Sequence, residues 1–250
     1  MEVDKFKSLY ATITHLLCTT FLYLVGICVM ASAILPGILL VHYVWTNTLI
    51  YSFLLRFWII SASLVSAFFI YGFSLVFILG LLRIVFRLNL KEGEHRIASF
   101  GLYRWIFING LYMIASITFM DFILLSSFSI LFFRLMGAKV GKNVQINSKK
   151  CFDLSLIEIG DNTVIGGYAT VMCHSFERGR LILRKVKIGK NVVLGLNSVV
   201  MCGAQIGDGA FITAGAILGK NKLVAPGSVY AGVPAQSTAE RKCRNNDTEG

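Results

Sequence analysis

Between Val140 and Ala235 an aliphatic residue returns at every sixth position, and no other feature of this chain restricts its fold so strongly. The register reads Ile182, Ile188, Leu194, Val200, Ile206, Ile212, Leu218, Val224 and Tyr230. Upstream, Val140, Ile146 and Phe152 keep the spacing, and Ile159, Ile165 and Val171 keep it one residue out of phase. Glycine often follows the aliphatic residue, as at Gly141, Gly160, Gly166, Gly189, Gly195, Gly207 and Gly219. A six-residue period belongs to a parallel β-helix, in which each unit is a short strand plus a turn. The aliphatic residue points inward, and the glycine is expected to permit a tight or left-handed turn. Three units close a triangular coil of about 18 residues, with coils stacked at roughly 4.8 Å. Fifteen hexads account for 90 of the 96 residues, with one extra residue before Ile159 and five between Val171 and Ile182. The spacing therefore predicts roughly five coils, about 24 Å tall. A Gly- and Val-rich sandwich would break at irregular intervals instead.

The rest of the chain is a different material. Hydrophobic residues make up 56% of the 250, concentrated before the repeat: Ser8 to Leu55 and Phe57 to Leu82 contain no Asp, Glu, Lys or Arg. Each run exceeds the roughly 20 residues that span a bilayer. Two transmembrane helices are expected within residues 1–90, over about Tyr10–Tyr43 and Leu49–Phe86, with Trp45 to Thr48 as the turn. Met1 to Lys7 carries acids and no basic n-region, so the first run reads as a retained span. Arg83, Arg87, Lys91, Arg96 and Arg104 gather after the second run, opposite an uncharged turn. The positive-inside rule then places both termini and the β-helix in the cytoplasm, at the cell (inner) membrane. Trp105 to Phe133 is apolar enough for a third span, but Asp121 in its middle would cost about 2.5–3.5 kcal/mol at the bilayer centre. Residues 91–139 are therefore expected as helices at the membrane surface, 140–235 as the β-helix and 236–250 as a polar tail.

The net charge of +11 divides as nine basic and five acidic residues before residue 135, and fifteen and eight after it. No nucleic-acid module accompanies the basic excess, so membrane lipids or phosphates are the expected anionic partners and nucleic acid is not. The six cysteines form no CxxC pair and no disulfide-scaffold spacing.

The repeat opens once, at His174-Ser175-Phe176-Glu177-Arg178-Gly179-Arg180. Loops on a rigid scaffold are where sites are built, and this one holds the only histidine of the repeat region. Imidazole exchanges a proton near neutral pH, which makes His174 a candidate general base. Arg178, Arg180, Arg184, Lys185, Lys187 and Lys190 surround it in sequence and suit phosphates or headgroups. If Val171 and Leu194 lead hexads on the same side of successive coils, Asn197 lies level with His174 and can orient the ring or an acceptor. Glu177, three residues downstream, is the candidate partner of the imidazolium. His15, His42 and His95 read as surface or interface residues. A γ-type carbonic anhydrase would need three histidines for zinc, and the repeat supplies one, so no metal site is expected.

The hexads, the His-bearing loop and the closing Ala231-Gly232-Val233-Pro234-Ala235 resemble the hexapeptide-repeat acyltransferases. A wider match over about Arg83 to Ala235 carries Gly101-Leu102-Tyr103-Arg104-Trp105, Arg134 to Gly141 and His174-Ser175-Phe176-Glu177. It resembles the membrane-attached tandem domains of ε-poly-L-lysine synthetase. The resemblance implies a left-handed parallel β-helix and a homotrimer. It also implies that His174 deprotonates a hydroxyl or amine, which attacks an acyl thioester in a cleft between subunits. The expected donor is acyl-CoA or acetyl-CoA as a substrate, with no permanently bound cofactor. Its candidate contacts are Arg178, Arg180, Lys185, Gly195, Ser198 and Gly215, and the acceptor is a small or lipid-linked molecule. Two departures from the family stand at Val192-Val193-Leu194-Gly195, where many soluble members carry tryptophan, and at Gln236, where a basic residue is usual. An amide-forming aminoacyl or peptide transferase and a non-catalytic trimeric membrane scaffold are the alternatives.

Overall fold

The uncharged runs become two long helices, in which the backbone N–H and C=O groups find their partners within the helix itself. In the computed structural model, which describes residues 2–97 and 99–239, α1 (Glu2–Asn47) and α2 (Phe53–Val85) are joined at Thr48–Ser52. Helix α1 continues past Pro36 and through Trp45–Asn47, where the sequence suggested the turn. The reason is local. Thr46 Oγ1, Asn47 Nδ2 and Thr48 Oγ1 donate to the carbonyls of His42, Tyr43 and Val44 at 3.1, 2.8 and 2.7 Å, satisfying acceptors that a helix end leaves open. Arg56 lies 5.0 Å from the Trp45 ring centroid, a cation–π contact beside the joint between the two helices.

The chain divides into two units. Of the described residues, the first comprises 2–87 and Gly110–Phe119; the second comprises 88–97, 99–109 and 120–239. Within the first, Phe119 packs edge-on against Phe68, Phe69 and Phe73, with ring centroids 5.4 to 6.2 Å apart. The second unit contains β1 (Gly93–Arg96) and the start of α3 (Phe100–Thr118), followed by α4 (Met120–Ile123) and α5 (Ser127–Leu135). Residues 91–139 are thus not one segment: 110–119 group with the long helices. Asp121 also sits differently from the expectation. It lies in α4, beyond the end of α3, and accepts from Lys149 Nζ at 2.6 Å. Its charge therefore gives no reason to exclude α3, which is long and apolar enough to cross a membrane by length and composition, as are α1 and α2.

The repeat forms stacked strands. In chain order they are β2 (Lys139–Val140), β3 (Gln145–Ile146), β4 (Ile157–Ile159), β5 (Val164–Ile165) and β6 (Thr170–Val171), then the antiparallel pair β7 (His174–Glu177) and β8 (Arg180–Leu183). They continue as β9 (Val186–Ile188), β10 (Val193–Leu194), β11 (Val199–Val200), β12 (Gln205–Ile206), β13 (Phe211–Ile212), β14 (Ile217–Leu218), β15 (Leu223–Val224), β16 (Val229–Ala231) and β17 (Gln236–Ser237). Three parallel faces result: β2-β4-β9-β12-β15, β3-β5-β10-β13-β16 and β6-β11-β14. The hexad aliphatics fill the interior, and one file, Ile146, Ile165, Leu194 and Ile212, is wholly buried. Strand β17 adds antiparallel to β16, so ordered structure runs past Ala235; residues 240–250 of the tail lie outside the described residues.

Two details of the repeat correct the sequence reading. Ile182 is not a hexad residue: it belongs to the β7–β8 hairpin, and the register resumes at Ile188, which pairs with Ile159. Likewise Cys151, not Phe152, takes the inward position, bridging to Val171. The glycines after the aliphatics have a different purpose from the one expected. The left-handed backbone falls three residues after the aliphatic, at Asn143, Asn162, Asn191, Asn197 and Asn221 and at glycines such as Gly203, residue types that tolerate it. The following glycines instead admit the next coil. A Cβ on Gly160 would lie 2.6 Å from the carbonyl carbon of Gly189. Gly160→Ala is therefore expected to destabilise the β-helix by about 1–3 kcal/mol, as overpacking does; a wild-type midpoint in chemical denaturation would contradict this contact.

Candidate active site

The sequence that opens the repeat does not form a loose loop. Strands β7 and β8 pair, and β1 adds to β8, giving a small antiparallel sheet. Directly paired residues share a face, so His174 lies beside Leu183, and Phe176, Leu181 and His95 form the next row. His174 follows Cys173, which is buried in the prism, so its backbone is held by the coil while its side chain reaches the surface at 20% exposure.

The ring meets a residue that the sequence reading missed. Asp153 Oδ2 lies 2.6 Å from His174 Nδ1, and the Asp153 side chain is wholly buried. Four nitrogens surround the carboxylate. Trp105 Nε1 and Asn109 Nδ2 donate to Oδ1 at 2.7 and 2.9 Å, and the Cys173 N–H donates to Oδ2 at 3.2 Å beside His174. Asn109 Oδ1 in turn accepts from the Asp153 N–H at 3.3 Å, holding a residue whose φ is +62°. Such left-handed backbone is uncommon away from glycine and collects at functional sites. A carboxylate ringed by donors is an acceptor on every side, so His174 meets it with a proton on Nδ1. In the neutral ring that leaves the lone pair on Nε2, which bonds to no described residue.

Helix α3 supplies this arrangement. Gly101, Trp105 and Asn109 are spaced four apart and share one helix face. Gly101 lies against the His95 ring, where a Cβ would fall 2.1 Å from Nδ1. Trp105 stands edge-on to His174 and to Phe176, with centroids 4.9 and 5.5 Å away. Phe152 adds a further edge at 6.3 Å. The imidazole is thus fixed by one hydrogen bond and three rings.

The neighbouring thiol is buried. Burial pushes Cys173 well above the ordinary thiol range and the Asp153 charge adds to the shift, while burial takes Cys151 up to about 12.

The other expected site residues do not converge in one chain. Glu177 does not pair with His174: it accepts from Lys220 Nζ at 2.5 Å and from Ser175 Oγ at 2.8 Å, and these bonds hold its carboxyl below the usual range. Asn197 is not level with His174 either. Because Ile182 leaves the register, Leu194 stacks on Ile165, and the Asn197 N–H bonds the Gly167 carbonyl, at the far end of β6 and β11 from His174. Arg178 lies exposed at the β7–β8 turn, and Arg180 is paired with Glu94 at 3.0 Å. The Lys185 N–H bonds Glu92, and its ammonium lies 3.8 Å from Glu158. Ser198 is wholly buried, and Gly195 serves coil packing, 2.5 Å from the Ala214 nitrogen were it to carry a Cβ. Gly215 occupies an open left-handed corner.

A family model described as the hexapeptide repeat of succinyl-transferase matches residues 185–220. The chain is similar to a hexapeptide-repeat-containing acetyltransferase of Vibrio cholerae O1 biovar eltor solved with acetyl coenzyme A, at 23% identity over 41% of this chain and 59% of that one, TM-score 0.38. It is similar to serine acetyltransferase of Neisseria gonorrhoeae at 18% identity, over 68% and 54%, TM-score 0.41. It is also similar to a maltose O-acetyltransferase of Clostridium difficile 630 at 17% identity, over 59% and 92%, TM-score 0.41. The match thus spans about three fifths of the Vibrio protein's length. No curated protein matches the chain.

Proposed function

We propose that this protein is a membrane-bound acyltransferase in which His174 is the general base. The observation that carries the reading is the His174–Asp153 pair: a buried carboxylate fixes the ring and leaves Nε2 ready to take a proton. The acceptor hydroxyl or amine gives its proton to Nε2 as its oxygen or nitrogen bonds to the acyl carbon. The tetrahedral adduct then collapses, the carbon–sulfur bond breaks, and the thiol leaves with the proton returned by His174. With Cys173 and Cys151 buried as neutral thiols, the transfer is direct, without an acyl-cysteine. Acyl-CoA is the donor this chemistry suits, and an amine acceptor would be served by the same pair. A homotrimer is part of the proposal, on the family resemblance.

The test is release of free thiol from acetyl-CoA by the purified full-length protein, with mass analysis of a panel of hydroxyl and amine acceptors. Acceptor-dependent thiol release, with an acceptor heavier by one acetyl group, is expected. Neither thiol release nor product across short- and long-chain acyl-CoA donors would remove acyl-CoA chemistry.

For topology we propose two spans, for a different reason from Asp121. Trp105 and Asn109 are hydrogen-bonded to Asp153, which commits residues 100–109 of α3 to the β-helix unit. The nine residues 110–118 extend about 14 Å at 1.5 Å per residue, short of a hydrocarbon core of about 30 Å. Both termini then lie in the cytoplasm at the cell membrane, and a lipid-linked acceptor fits the tether. A membrane-impermeant thiol reagent on intact cells should leave Cys243 unlabelled; rapid labelling from outside would place the β-helix on the other side.

A further inference from the structure

The small sheet that carries His174 also floors a second feature, which the acyl-transfer chemistry does not use. A cavity of about 330 Å³ is lined by Asn89, Leu90, Lys91, His95, Phe100, Gly101, Arg104 and Leu183. Three of the side chains that matter here, Lys91, His95 and Arg104, are cationic or can become so, and among the described residues no carboxylate lines the space. The acids of the same segment are engaged elsewhere: Glu92 accepts the Lys185 N–H at 2.9 Å, and Glu94 pairs with Arg180 at 3.0 Å. The cavity opens on the first turn of α3, whose dipole favours negative charge. The absence of a side chain at Gly101 lets the His95 ring sit against that turn.

We propose that this cavity binds the phosphate of an anionic ligand, either a phosphorylated lipid headgroup or a free phosphate ester. Arg104 supplies a planar fork of donors, and Lys91 supplies a point charge, a pairing suited to phosphate oxygens. Phe100, 82% exposed, forms an apolar lip beside the charges, which matches an amphiphile. The site adjoins the catalytic pair, because Leu183 lines the cavity and is the cross-strand partner of His174. Taken with the acyl transfer proposed above, on which this last step rests, the phosphate belongs to the acceptor and delivers its nucleophile to Nε2. The binding itself needs no donor and no chemistry.

Purified full-length protein in detergent would be titrated calorimetrically with inorganic phosphate, glycerol 3-phosphate, dihexanoyl phosphatidate and, as the headless control, dihexanoylglycerol. Phosphate-bearing probes should bind and dihexanoylglycerol should not. Lys91→Gln and Arg104→Gln should each weaken binding by about tenfold or more, the effect of losing one charge-assisted hydrogen bond. Lys91 is exposed, so its variant decides the matter should Arg104→Gln not fold. Phosphatidate binding tenfold tighter than glycerol 3-phosphate identifies a lipid headgroup; equal affinities identify a free phosphate ester. His174→Ala should bind as wild type does, so failure of the acyl-transfer reading leaves this result standing. No binding of any phosphate probe, or wild-type affinity in Lys91→Gln, would overturn the site.

Discussion

His174→Ala is expected to lower kcat for acyl transfer by about 10²–10⁴-fold, the span over which a positioned acid–base group contributes. KM for either substrate should move little, since the proton is transferred in the transition state and not on binding. The fold should survive. The ring is partly exposed, its loss leaves Asp153 Oδ2 still bonded to the Cys173 N–H, and Oδ1 keeps Trp105 and Asn109. An unchanged thermal midpoint beside a collapsed kcat is therefore the expected pair of results. Wild-type turnover in His174→Ala would remove the proposed mechanism and leave another catalytic group as the better account.

The hexad period made the prism legible because burial forces the aliphatic residue inward once per face, and the chain cannot slip without exposing all of them. His174 was legible for the complementary reason: it stands where the period fails. What sequence could not supply was the register across that failure. Counting Ile182 as a hexad moved every later residue by one face, which put Asn197 beside His174 when it stacks above Tyr168. Strands β7 and β8 satisfy each other's backbone as a hairpin, so they need no hexad spacing. A smaller stutter, the surplus before Ile159, held the unused signal: it carries Asp153, an acid amid Cys151, Leu154 and Leu156, all buried. An acid at a break in an aliphatic repeat requires buried partners. Trp105 and Asn109 could be paired with each other by helical spacing, but nothing local tied them to a carboxylate more than forty residues away.

Asp153→Asn should show what that carboxylate does. The amide keeps one acceptor and gains two donors, so it cannot accept from all four nitrogens. Turning its oxygen toward Trp105 and Asn109 sets its NH2 against the Cys173 N–H and His174 Nδ1. The imidazole can meet an N–H donor only by moving its own proton to Nε2, which then donates where the mechanism needs an acceptor. A fall in kcat of about 10²–10⁴-fold is expected, similar to loss of the base itself. Unlike His174→Ala, this variant should also unfold more easily, by about 1–3 kcal/mol, because a buried N–H at Cys173 loses its acceptor. Asp153→Ala should cost more still, since the Trp105 and Asn109 donors are stranded as well. Nitrogen chemical shifts of the His174 ring separate the two roles: the proton should sit on Nδ1 in the wild type and on Nε2 in Asp153→Asn. A variant that keeps the wild-type tautomer and wild-type kcat while losing stability would mean that Asp153 only anchors α3 to the β-helix, and that His174 orients without it.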